Sequence, residues 1–190
     1  MTESDILKDI PVFGLGFKTI SLYNKITESF FTKKLLKFLY ELKDIPKEER
    51  ENFVTKLESD KETKNAGEKL LIVLNRLDDV EKSTIIGKLL KATILGEVNY
   101  SHFKKLTHII DKTYLEDLKS IKNNPFFKNI DEDTKSVLHS NGVLTQSIED
   151  NREYDAYRFK NSRNSINTIT PAKLVYKLNT YGDILNKFGL

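Results

Sequence analysis

The chain has 190 residues, 38% of them hydrophobic and 31% charged, with 31 Lys and Arg against 28 Asp and Glu. That length suits one core-bearing domain with at most an appendage, and the apolar fraction is too high for a disordered tail. With no cysteine, disulfides, thiolate metal sites and cysteine nucleophiles are excluded, and three His and 8 Gly leave little material for a metal or nucleotide site.

In chain order, the start is acidic where a secretory signal would be basic, so a cytoplasmic location is expected. Ile10 to Phe17 is uncharged, and allowing Lys18 the run extends to Tyr23, about 14 residues. A single membrane span needs ~20 apolar residues, so a conventional span is not expected. Phe13, Phe17, Ile20 and Tyr23 recur at spacings of three and four, with Val12, Leu15 and Leu22 nearby and Gly14 and Gly16 between them. Glycine costs ~1 kcal/mol per helical position relative to alanine, so this pair needs a reason. An interfacial anchor on anionic lipid supplies one, with Lys18, Lys25, Lys33 and Lys34 behind it. The blander alternative is a segment that folds back to cap the hydrophobic core. The candidate membrane or partner contacts are Val12, Phe13, Leu15, Phe17, Ile20 and Tyr23.

From about residue 25 to 124 the periodicity predicts consecutive amphipathic helices in an antiparallel bundle. The first, from Thr27 to Lys43, turns Phe31, Leu35, Phe38, Leu39 and Leu42 inward. Asp44-Ile45-Pro46 breaks the chain, and Glu48 and Glu49 open a short second helix. Ser59-Asp60 starts a third, with Leu70, Leu71, Leu74 and Leu77 on one stripe. Asp78 and Asp79 open a fourth, carrying Ile85, Ile86, Leu89 and Leu90 and stopping at Gly96. Asn99 or Ser101 caps a long fifth helix with Phe103, Leu106, Ile110, Tyr114, Leu118 and Ile121 inward, ending at Asn123-Asn124-Pro125.

Residues 125–190 change in texture. A short helix spans Asp131 to Asn141, with Gly142 as its stop. Strand candidates at Val143 to Ile148 and Leu174 to Leu178 flank a polar, aromatic excursion, and a helix from about Thr180 to Phe188 closes the chain. Val137-Leu138, Gly142-Val143-Leu144 and Tyr176-Lys177-Leu178-Asn179-Thr180-Tyr181-Gly182 resemble the end of bacterial winged-helix domains, with the excursion as the wing. The fold expected is therefore mainly α: an antiparallel helical bundle with a small C-terminal winged-helix-like α+β tail.

Charge is uneven along the chain. Residues 18–43 hold six Lys and two Glu, 51–150 hold 15 basic and 17 acidic residues, and 151–190 hold seven basic and three acidic. Basic ends suit a polyanion, either an anionic membrane or nucleic acid. In the tail, Arg152, Arg158, Lys160, Arg163, Lys173 and Lys177 interleave with Tyr154, Tyr157, Phe159 and Tyr176. Cations can meet phosphates while rings stack on bases, although a hairpin with rings inside and lysines outside reads the same way. The helix ahead of the strands begins Asp131-Glu132-Asp133, a poor start for major-groove recognition.

Catalytic signatures are not found. His108 and Asp111 share a helical face but lack the rest of a metal or triad pattern, and Asp78, Asp79 and Glu81 sit where helix capping explains them. No phosphate-loop, dinucleotide or nucleophile-elbow motif occurs, so no enzyme activity and no cofactor are expected.

Ile10-Pro11-Val12-Phe13-Gly14, then Lys33-Lys34-Leu35-Leu36-Lys37-Phe38-Leu39, then Glu49-Arg50-Glu51-Asn52-Phe53 and Gly67-Glu68-Lys69-Leu70-Leu71, resemble a group of small uncharacterised bacterial proteins from mobile-element and anti-phage defence neighbourhoods. The resemblance implies a defence or toxicity effector and transfers no site residues. The leading expectation is thus a non-enzymatic membrane-associated effector acting through residues 10–23, peripheral to the inner face of the membrane. A winged-helix-like DNA-binding regulator and a helical adaptor are the alternatives. The partners expected are an anionic membrane surface or a protein, nucleic acid for the alternative, and a second copy in a homo-oligomer.

Overall fold

A computed structural model describes residues 29–59, 65–124, 126–149 and 173–190. Within them the chain is mainly helical, with one two-stranded antiparallel sheet. The helices are α1 (Ser29–Tyr40), α2 (Lys47–Ser59), α3 (Ala66–Arg76), α4 (Val80–Ile94), α5 (Tyr100–Lys112), α6 (Leu115–Ser120) and α7 (Glu132–Ser140). Strands β1 (Leu144–Glu149) and β2 (Lys173–Leu178) follow, then α8 (Thr180–Ile184), which runs directly into a π-helical turn, Leu185–Gly189.

Helix α4 is the hub, packing on α1, α2, α5 and the π turn. The predicted stripes meet there: Phe31, Leu35, Phe38, Leu39 and Leu42 are buried against Ile85, Ile86, Leu89 and Leu90. Gly87 allows the close α1–α4 approach, since a Cβ on it would lie 2.7 Å from the Phe38 carbonyl oxygen. One buried set continues through Leu106, Ile110, Leu118 and Ile121 to Leu138, Val143, Leu144 and Leu185.

Caps fall where local chemistry demands them. Asp79, Asn99, Asp131 and Asn179 accept backbone N–H groups at the starts of α4, α5, α7 and α8. Gly96 and Gly142 follow α4 and α7 with φ of 78° and 83°.

Three expectations are corrected. The third helix begins at Ala66, not near Ser59-Asp60. The long fifth helix is two helices: Thr113 turns extended (φ −94°, ψ 137°), and its buried hydroxyl donates to the Ile109 carbonyl at 2.7 Å. That turn swings Tyr114 outward, 65% exposed, instead of into the core. The closing helix spans the expected residues, and its second half takes π geometry from Leu185, bringing Gly189 against Ile85. Finally, Lys34 is 2% exposed, so it cannot reach a lipid surface. Its ammonium donates to the carbonyls of Asn75 at 2.6 Å and Leu77 at 2.8 Å, closing the C-terminal end of α3.

Candidate nucleic-acid interface

The hairpin alternates as a strand pair must. Leu144, Gln146 and Ile148 lie opposite Leu178, Tyr176 and Leu174, while Thr145, Ser147 and Glu149 lie opposite Lys177, Val175 and Lys173. Tyr176 is half-buried, edge-on to His139 of α7, and its hydroxyl receives Gln146 Nε2 at 3.0 Å. Lys173 and Lys177 are exposed on the opposite face. Of the predicted nucleic-acid contacts these two are described; Arg152, Arg158, Lys160 and Arg163 lie outside the described residues, as do Val12, Phe13, Leu15, Phe17, Ile20 and Tyr23.

The sequence reading did not single out the outer face of α5. Ser101, Lys104, Lys105, His108 and Lys112 recur at helical spacing and all are exposed, opposite buried Phe103, Leu106 and Ile110. The Lys104 ammonium sits 5.6 Å from the Tyr100 ring centroid, and that of Lys105 lies 5.6 Å from the Tyr181 ring centroid. Asp111 is not the partner of His108: it receives Arg76 of α3 through Nε at 3.3 Å and Nη2 at 2.5 Å.

An open groove of about 610 Å³ runs beside this face, with Lys104, Lys105 and His108 on one side and Gly142, Asn179 and Tyr181 on the other. Asn179 fixes the second wall. Its Nδ2 donates to the Gly142 carbonyl at 2.8 Å while its Oδ1 accepts the N–H groups of Tyr181 and Gly182. His102 braces Tyr181 edge-on, with centroids 5.5 Å apart. The root of the hairpin is thereby tied to the basic helix.

The α6–α7 edge has the opposite sign, carrying Glu116, Asp117, Asp131, Glu132 and Asp133. Burial, with Asp131 and Glu116 nearby, raises the Asp117 carboxyl above its usual range. The Thr134 N–H and hydroxyl hold that of Asp131 below it. The lysine of α7, Lys135, is bound to Glu132 at 2.7 Å.

The carboxylates that open α4 are all engaged: Asp79 caps the helix, Asp78 pairs with Lys82 at 2.6 Å and Glu81 with Lys119 at 2.7 Å. Among the described residues no cluster of His, Asp and Glu could hold a metal ion, and no helix is long and apolar enough to cross a membrane. No protein-family model, curated protein or solved structure matches the chain.

Proposed function

We propose that this chain is a non-enzymatic nucleic-acid-binding protein, a helical bundle that carries a winged-helix-like regulator module at its C-terminal end. The observation that carries this reading is the order α5, α6, α7 and then the antiparallel β1–β2 hairpin, whose outward face bears Lys173 and Lys177. The sequence between the strands supplies Arg152, Arg158, Lys160 and Arg163 against Asp150, Glu153 and Asp155, so the wing of such a module would be weakly cationic, with its last three bases free of intervening acids. Phosphate contacts of this kind displace counterions, and affinity must then fall steeply with salt. The test is a polarisation titration of the full chain with a labelled duplex and with a single strand at several salt concentrations. A linear fall of log affinity with log salt supports the reading, and an absence of binding at low salt refutes it.

A second reading keeps the leading sequence expectation, a membrane-associated effector of a bacterial defence or toxicity system acting through residues 10–23. Its support is the uncharged run from Ile10 to Phe17 together with exposed Lys33 and Lys37 on α1. It loses Lys34, which belongs to the core. Flotation with anionic vesicles tests it: Phe13→Asp with Phe17→Asp should release the protein, and equal flotation of that variant would end this reading.

A further inference from the structure

We propose that the nucleic-acid backbone is held by the outer face of α5 and the groove at the hairpin root, and not by α7. This rests on the nucleic-acid reading and names the surface that performs it. In a winged-helix-like arrangement, the helix ahead of the hairpin is the one expected to enter the major groove. Here that helix is α7, and its chemistry is wrong for the task. Asp131, Glu132 and Asp133 crowd its start, and Glu116 and Asp117 of α6 stand beside it. Its one lysine, Lys135, is bound to Glu132, and His139 lies edge-on to the Tyr176 ring. A phosphate approaching this edge meets carboxylates first.

Helix α5 presents the reverse. Lys104, Lys105, His108 and Lys112 line one exposed face, and no carboxylate among the described residues pairs with any of them. The acid within α5, Asp111, is neutralised by the two-pronged Arg76 contact, so it does not offset the lysines. The rings of Tyr100 and Tyr181 hold two of the ammonium groups near their positions, which lowers the ordering cost of binding.

The groove leads from this face toward the strands, because Gly142 and Asn179 form both its wall and the hairpin root. A phosphodiester chain lying along α5 is thus led toward the strand that carries Lys173 and Lys177. Lipid is the weaker occupant. The apolar side chains of α5 face the core, none of the large exposed hydrophobic residues lies on this helix, and the surface beside it is concave. An interfacial helix would need apolar side chains to insert.

The experiment uses the full chain and the same labelled duplex across a salt series, with circular dichroism melts to confirm folding. Three variants are compared: Lys104→Glu with Lys105→Glu, Lys173→Glu with Lys177→Glu, and Lys135→Glu on α7. The α5 pair should weaken binding by about tenfold or more and reduce the salt slope by about 2, since each phosphate contact contributes roughly 0.9. Lys104→Ala with Lys105→Ala should act in the same direction, more weakly. The α7 variant should change affinity less than about twofold. If the α5 pair binds like wild type while the β2 pair fails, the surface assignment is overturned and the nucleic-acid reading stands. If the wild-type chain shows no salt-dependent binding, the nucleic-acid reading itself falls. Binding of anionic vesicles through Lys104 and Lys105 without binding of nucleic acid would overturn the partner.

Discussion

Replacing Lys34 with methionine is expected to destabilise the fold, because this lysine serves as a C-cap. Its ammonium bonds the Asn75 and Leu77 carbonyls at 2.6 and 2.8 Å, at the negative end of the α3 dipole. Hydrogen bonds from a charged donor are worth ~1.5–3 kcal/mol each, so two amount to ~3–6 kcal/mol. Removing a buried ammonium returns part of this through relieved desolvation, while the Leu77 carbonyl is left without this donor in a buried place. The net loss is about 2–4 kcal/mol. At ~2–4 °C per kcal/mol for a chain of this size, Tm should fall by about 4–16 °C. Urea unfolding followed by circular dichroism measures the difference directly, and Lys33→Met provides the control. Lys33 is exposed one residue away, and its loss should stay within ~0.5 kcal/mol. Equal stability of the two variants would refute the capping role. A Lys34→Met variant that folds like wild type but loses vesicle binding would return this lysine to the membrane.

Further perturbations follow from the same geometry. Lys82 is 1% exposed and bound to Asp78, and that contact holds the Asp78 carboxyl below its usual range. A lowered carboxyl stabilises the fold above its unfolded pKa and loses that contribution as pH falls, so the cost of Asp78→Asn should shrink between pH 7 and pH 3. At neutral pH that cost should be about 1 kcal/mol, below the value for a fully buried pair, because the Asp78 side chain is 62% exposed. Equal pH profiles for the two proteins would count against it. Asp117 has the opposite sign: burial raises its carboxyl, so the fold is penalised increasingly as pH rises from the unfolded to the folded value, and in full above it. Asp117→Asn should therefore raise Tm at pH 7 and not at pH 3. Gly182→Ala would drive a Cβ against the Val143 carbonyl and to 2.9 Å from Leu178 Cδ2. It should cost ~1–3 kcal/mol and deprotect the N–H groups of α8 in hydrogen exchange, and unchanged protection would show that the site relaxes freely.

The helical architecture was legible because the apolar spacing of α1, α4 and α7 is regular and their stops carry Pro46, Gly96 and Gly142. The break at Thr113 was not. Its neighbours keep a helical rhythm, and only the tertiary position of Leu115 and Leu118 in the core makes the turn favourable. Lys34 carried a signal that was passed over, since it falls on the stripe of Phe31, Leu35 and Phe38. A lysine in an apolar stripe needs a buried acceptor, and that acceptor lies 41 residues away in the chain. The face of α5 was hidden by averaging: residues 51–150 hold more acids than bases, yet periodicity gathers Lys104, Lys105 and Lys112 on one side while the acids collect at α6 and α7. The direction of the β2 lysines was half legible, since alternation separates them from Tyr176 without saying which face meets α7.

The most direct test of the central claim is lysine footprinting of the full chain with and without saturating duplex at low salt, read by mass spectrometry. Protection of Lys104, Lys105 and Lys112, with Lys33 and Lys135 unchanged, is the predicted result. Protection confined to Lys135, or none on α5 at saturation, would contradict it.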